Sequence, residues 1–169
     1  MTADQTIPVS VVQEIRDRCL CFATQRAARL LARRFDRAFA ALGLTNGQFS
    51  LMVALAGMGA PRLGRLAEIL MMDQTTLTAA VKALRARGWV ERRPDPDDRR
   101  ARRVALTPSG LAVVGRAVPI WRAETAALRD SLGAERADAL LALLHLAGPV
   151  PPAATSATTS ATATTSATA

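Results

Sequence analysis

A chain of 169 residues has room for one domain with appendages. Half of it is hydrophobic, mostly Ala and Leu, and Tyr is absent, which favours helix over sheet. The formal net charge of +8 suits a polyanionic partner, the lone cysteine pair Cys19 and Cys21 excludes a disulfide framework, and the longest apolar run, Ala139 to Leu144, is far too short to span a bilayer. All basic residues but Lys82 are arginine, a bias that suits phosphate and guanine recognition and that genomic composition produces equally. The charge is clustered. Gln74 to Leu106 holds nine basic and four acidic residues, Val11 to Ala41 seven and three, and the intervening and following stretches balance. No cationic start followed by an apolar core marks a signal peptide, so a cytoplasmic protein without a membrane partner is expected.

Residues 1–10 read as a frayed end. From Val11 to Leu42 one long helix is expected, with Leu20, Ala23, Ala27, Leu31, Phe35, Ala38 and Leu42 at steps of three and four, and a basic stripe of Arg26, Arg29, Arg33 and Arg37 beside them. Gly43 is placed to end it in a left-handed cap. "LTNGQF" restarts helix: Thr45 and Gln48 have capping-box spacing, and Leu44 and Phe49 have the spacing of a hydrophobic staple. That helix runs to about Ala56 before "GMGAP" breaks it. A short helix over Gly64–Leu70, a tight turn at "MMD" and a helix over Gln74–Arg87 capped by Asp73 follow, with Gly88 as the stop.

"WVERR" (Trp89–Arg93) and "RRVAL" (Arg102–Leu106) read as two short strands around the charged tip "DPDDRRA". Thr107 and Pro108 then start a helix. Within it Val114, Val118, Trp121, Thr125, Leu128 and Leu132 form a seam for a partner helix, and Pro119 should bend it. Gly133 breaks it before a final short helix. The Ala/Thr/Ser tail, counted from residue 149, cannot build a core and reads as disordered.

Short helix, tight turn, polar-started helix, strand, basic loop, strand: this order defines a winged helix-turn-helix. The expected fold is mainly α with a small β-wing. In that unit the second helix presents its early side chains to base edges in the major groove. Leu77, Val81 and Leu84 face the core, which leaves Gln74, Thr75, Thr76, Thr78 and Lys82 for DNA. Arg99 and Arg100 lie at the wing tip, where a narrow minor groove attracts arginine, and Asp98 is placed to orient a guanidinium there. Charge runs are ordinarily solvated loops; the position of this one, directly behind a helix-turn-helix order, makes it a wing.

At these residues the chain resembles the MarR (multiple antibiotic resistance regulator) family. The wing signature Asp-x-Arg, an alternating strand and Leu-Thr-x-x-Gly are matched by Asp98, Arg100, Val104, Leu106, Thr107 and Gly110, and the recognition helix by "DQTTLTAAVKALRARGWVERR". The likeness covers about Cys19 to Leu146. It implies a homodimeric transcriptional regulator, a repressor binding a near-palindromic double-stranded operator and released by a small aromatic effector or by oxidation. Residues 11–148 would form the regulator domain, with the DNA-reading part at about 45–107 and dimerisation helices at about 11–42 and 108–147. Where many relatives carry a basic residue after "TLT", this chain has Ala79.

The context of Leu20, Cys21, Phe22 and Ala23 is similar to the organic-hydroperoxide-sensing (OhrR-type) branch. That branch's two tyrosines are replaced here by Phe35 and Asn46, and a later resolving cysteine is missing. Cys21 as an oxidant sensor and a winged-helix module that reads no bases stay open as alternatives; a small buried apolar residue is the simpler role for either cysteine. Phe35, Phe39, Phe49 and Trp121, with Cys21, are the candidates for a redox or effector pocket. His145 stands alone, so no metal is expected, and no nucleophile–base pair or glycine-rich phosphate loop suggests an enzyme or a cofactor.

Overall fold

The computed structural model describes residues 7–98 and 100–146. The terminal segments 1–6 and 147–169, and with them the expected Ala/Thr/Ser tail, lie outside the described residues, as does Arg99. The elements are α1 (Val9–Arg18), α2 (Leu20–Phe39), α3 (Asn46–Met58), α4 (Leu63–Leu70), α5 (Gln74–Ala86), β1 (Val90–Pro94), β2 (Arg102–Leu106), α6 (Pro108–Leu132) and α7 (Ala134–Leu146).

The long first helix expected from the sequence is two helices. Cys19 is extended (φ −76°, ψ 108°), and its Sγ accepts the Phe22 N–H at 3.4 Å, so the residue caps α2 rather than continuing α1. The apolar repeat begins only at Leu20, and α1 buries no residue of its own. At the other end, a 3₁₀ turn over Ala40–Leu42 closes on Gly43 in the left-handed region (φ 61°), the cap the sequence led us to expect.

The start of α3 follows its sequence closely. Thr45 accepts the Gln48 N–H at 3.3 Å while the Gln48 side chain accepts the Thr45 N–H at 3.2 Å, a complete capping box. Leu44 and Phe49 are both buried, as a staple requires. The Asp36 carboxylate adds a tie from α2, accepting the Asn46 N–H at 2.7 Å.

The core lies among the end of α2, α3, α4, α5, the hairpin and the first half of α6. Phe39, Leu51, Met52, Leu55, Leu66, Leu77, Val81, Leu84 and Val104 are its largest fully buried side chains. The hairpin is antiparallel, in a register running from Val90 opposite Leu106 to Pro94 opposite Arg102. A third piece of sheet went unseen in the sequence. Arg62 bridges Arg103, and Val104 N–H donates to the Pro61 carbonyl at 3.0 Å, so "GAPR" lies alongside β2 rather than merely breaking a helix.

"LTPSG" locks the hairpin to α6. Thr107 Oγ1 accepts the Gly110 N–H at 3.0 Å and donates to the Gly88 carbonyl at 2.7 Å, while Thr107 N–H donates to the Trp89 carbonyl at 3.0 Å. A Cβ on Gly110 would stand 2.0 Å from the Trp89 carbonyl oxygen, so only glycine fits there. The helix α6 continues through Pro119, which lacks the N–H for one rung of the ladder. Its seam is divided: Val114 is buried in its own chain, whereas Trp121 and Leu132 are exposed.

Candidate nucleic-acid interface

Met71 makes the turn between α4 and α5 in a left-handed conformation (φ 51°, ψ 39°), and Met72 N–H donates back to the Ala67 carbonyl at 3.0 Å. This closure terminates α4 and aims α5 across it. Asp73 caps α5 by accepting the Thr76 N–H at 2.8 Å. The Thr76 side chain and backbone hold the Asp73 carboxyl below the usual carboxylate range. Thr76 is exposed, yet engaged with the cap.

On α5, Leu77, Val81 and Leu84 are fully buried, so the helix can present only its other face. Gln74, Thr75, Thr78 and Lys82 are exposed and line one shallow trough together with Ala79. Four polar side chains and the Ala79 methyl group of one helix thus form a surface with donors, acceptors and a single cation. The far end of α5 is tied down by Arg87, whose guanidinium donates to the Gly43 carbonyl and lies 4.1 Å from the centre of the Trp89 ring.

The wing projects beside this face. Asp98 shapes its tip through the backbone: Oδ1 accepts the Arg100 N–H at 2.9 Å, and its carbonyl accepts the Ala101 N–H at 3.0 Å. The expected contact of Asp98 with the Arg100 guanidinium is not the one formed. Arg100 is exposed. The wing's buried acid is Asp95, which the sequence reading passed over, although "PDPDD" following a strand was the available signal. Its carboxylate accepts from Arg62 and Arg103, and it titrates well below the usual carboxylate range, chiefly because of the Arg62 hydrogen bond.

The five residues named for a pocket do not come together. Phe49 and Trp121 line an apolar groove between α3 and α6, of about 450 Å³, with Ser50, Val53, Ala54 and Val118. Phe39 is core, its ring centre 4.8 Å from that of Phe49 and 5.9 Å from that of Phe35. Cys21 is exposed and does not line the groove; its Sγ accepts from Gln25 Nε2 at 3.2 Å. Neither cysteine is a buried apolar filler in this chain, because Cys19 occupies a helix break and Cys21 the open first turn of α2. Among the described residues there is no cluster of metal-ligating side chains, and no single helix is long and apolar enough to cross a membrane.

A helix-turn-helix braced by a two-stranded wing, flanked by long helices, is a winged-helix architecture. Residues 44–101 match the sequence profile of the MarR family. The transcriptional repressor NicR of Pseudomonas putida is 36% identical over 102 residues, covering 60% of this chain and 65% of that protein. The M. tuberculosis transcriptional regulator MosR, in a crystal structure with DNA, is 34% identical with a TM-score of 0.64, covering 76% of this chain and 97% of that one. BpsR of Bordetella bronchiseptica, whose DNA binding is regulated by 6-hydroxynicotinic acid, is 28% identical with a TM-score of 0.70, covering 77% and 93%. The chain belongs to the MarR family. It spans less than two thirds of the length of the first curated relatives it matches.

Proposed function

We propose that the protein is a sequence-specific transcriptional regulator that binds double-stranded DNA as a homodimer in the cytoplasm and acts as a repressor. The observation that carries this reading is the exposed face of α5, where Gln74, Thr75, Thr78 and Lys82 form one surface beside an arginine-bearing wing. Gln pairs bidentately with adenine, Thr touches the thymine methyl or a phosphate, and Lys82 meets guanine or backbone. Arg99 and Arg100 are assigned to the neighbouring minor groove. The DNA-reading part is residues 45–107, within a regulator domain of residues 11–148. Supporting this are the repressor NicR and the DNA complex of MosR.

The helices on either side supply the dimer surface. Val9, Val12 and Ile15 on α1, Leu20, Leu30 and Leu31 on α2, and Leu140, Leu141, Leu143, Leu144 and Leu146 on α7 are all more than a third exposed in one chain. So much uncovered aliphatic surface on terminal helices is what a second copy would bury. The α3–α6 groove, apolar apart from Ser50, is the site assigned to a small aromatic effector, in line with the ligand regulation of BpsR.

Footprinting on DNA from upstream of the protein's own gene tests the reading. It should show two half-sites about 10 base pairs apart, or a multiple of that spacing, with affinity falling steeply as salt rises. Equal binding to unrelated competitor DNA would reduce the protein to a module without base readout.

A further inference from the structure

The arginine-rich wing contains an acid whose side chain solvent does not reach. Asp95 follows β1, and its Oδ2 accepts from Nε of Arg62 at 2.7 Å and from Nε of Arg103 at 2.9 Å, while Oδ1 accepts the Asp97 N–H at 3.0 Å. The two arginines come from different parts of the fold: Arg62 immediately precedes α4, and Arg103 belongs to β2. Asp95 itself has none of its side chain exposed, whereas the Arg62 side chain is 49% exposed and that of Arg103 is 33% exposed. Arg103 is further committed, donating to the Ala60 carbonyl at 3.3 Å and lying 3.7 Å from Asp97. Arg62 donates to Asp95 through Nε, is half exposed, and also feels the charges of Asp97 and Asp98. A guanidinium held at Nε by a buried carboxylate is fixed in orientation and keeps terminal N–H donors free for a second acceptor. The first helix of a helix-turn-helix crosses the DNA backbone, and Arg62 stands at the start of that helix.

We propose that Arg62 is a DNA-phosphate contact at the junction of helix-turn-helix and wing, and that Asp95 is the residue that positions it. The inference rests on the DNA-binding reading above. It accounts for a carboxylate buried beneath the arginine-bearing face of the wing. By charge alone Asp95 repels a phosphate; by orientation it removes the freedom Arg62 would otherwise lose on binding. The other wing acids are arranged differently, since Asp98 serves the backbone of Arg100 and the Asp97 side chain is 79% exposed.

The two effects have opposite signs, which makes the test direct. Asp95→Asn is nearly isosteric and raises the net charge by one, so electrostatics alone would tighten DNA binding. Positioning requires the reverse. Fluorescence anisotropy of the full chain on a duplex from its own upstream region, over a salt series, reads the affinity, and circular-dichroism melting reports the fold. Asp95→Asn should weaken binding about tenfold, as should Arg62→Ala, which should also lower the salt slope by about 1. The double variant should bind no worse than Arg62→Ala alone, because both substitutions remove one contact. Arg62→Lys keeps the charge without the fork and should also bind more weakly; it carries the test if Asp95→Asn does not fold. Parent-like or tighter binding by Asp95→Asn, parent-like binding by Arg62→Lys, or additive losses in the double variant would each overturn the assignment. A parent chain that binds no duplex would overturn it together with the DNA-binding reading, whereas a parent that binds while the variants are unchanged overturns the positioning alone.

Discussion

The reading head and the terminal helices use the same residue types to opposite ends. From α3 to β2 the aliphatic side chains close on one another: α3 buries Phe49, Leu51, Met52 and Leu55, and α5 buries Leu77, Val81 and Leu84. On α7, five leucines are between 44% and 83% exposed, and Ala137 is the buried residue. Composition cannot distinguish α7 from the head, since both are Leu- and Ala-rich. The difference is that the head has strands, caps and a second layer to fold against, whereas α1 packs mainly on α2 and α7 mainly on α6. The head is completed by its own chain. The terminal helices leave most of their aliphatic side chains uncovered.

The largest test of that contrast is at the joint between the regions. Gly110→Ala puts a methyl group against the Trp89 carbonyl, and the backbone must move. A loss of about 3 kcal/mol is expected from such overpacking, read as a lower urea midpoint; an unchanged midpoint would show that the joint yields. Next comes the dimer surface. Leu140→Glu together with Leu144→Glu should raise the dimer dissociation constant about a hundredfold in sedimentation, while the far-ultraviolet signal of the head is retained. Loss of the head's fold in that variant would erase the distinction between the regions. Smaller again is the cap of α3: Thr45→Ala should cost about 1 kcal/mol, because the Gln48 N–H loses its acceptor.

A pH series sharpens the comparison from another side. Arg62 holds the folded Asp95 carboxyl below its unfolded value, so the stability it contributes is complete above the unfolded carboxyl pKa of about 3.9 and drains away as pH falls below it. The parent's melting temperature should therefore fall more steeply below about pH 4 than that of Asp95→Asn, and parallel profiles would contradict the buried ion pair. The smallest effect expected is that of Cys21→Ser. The thiol is exposed, so stability should change by less than about 0.5 kcal/mol. Operator release by equimolar organic hydroperoxide, lost only in this variant, would instead make Cys21 a redox switch.

Much of this was legible in the sequence wherever the physics is local. The capping box at Thr45, the Asp73 cap, the Thr107–Pro108 start and the inward set Leu77, Val81 and Leu84 depend on residues a few positions apart, and all are found. The break at Cys19 was missed because a cysteine cap has no distinctive sequence signal and helix-like spacing runs on past it. The pairing of Arg62 with Arg103 and the burial of Asp95 were hidden for a different reason. They join residues about 30 to 40 positions apart, and the sequence shows only that the wing has acids, not which one is inside. Aromatic side chains mark core and cavity alike: Phe39 lies in the core, Trp121 lines the groove, and Phe49 does both.

The tight seat of Gly110 on Trp89 has a mechanical side. With no side chain between them, and with Thr107 and Ser109 hydroxyls both on the Gly88 carbonyl, the first turn of α6 is tied directly to the turn that follows α5. From Gly110 to Leu132 the helix extends about 33 Å at about 1.5 Å per residue. A lever of that length converts a tilt of about 5° at the seat into a displacement of about 3 Å at the far end. A displacement of about an ångström at Trp121, midway along the arm, corresponds to a tilt of about 3.5° at the seat.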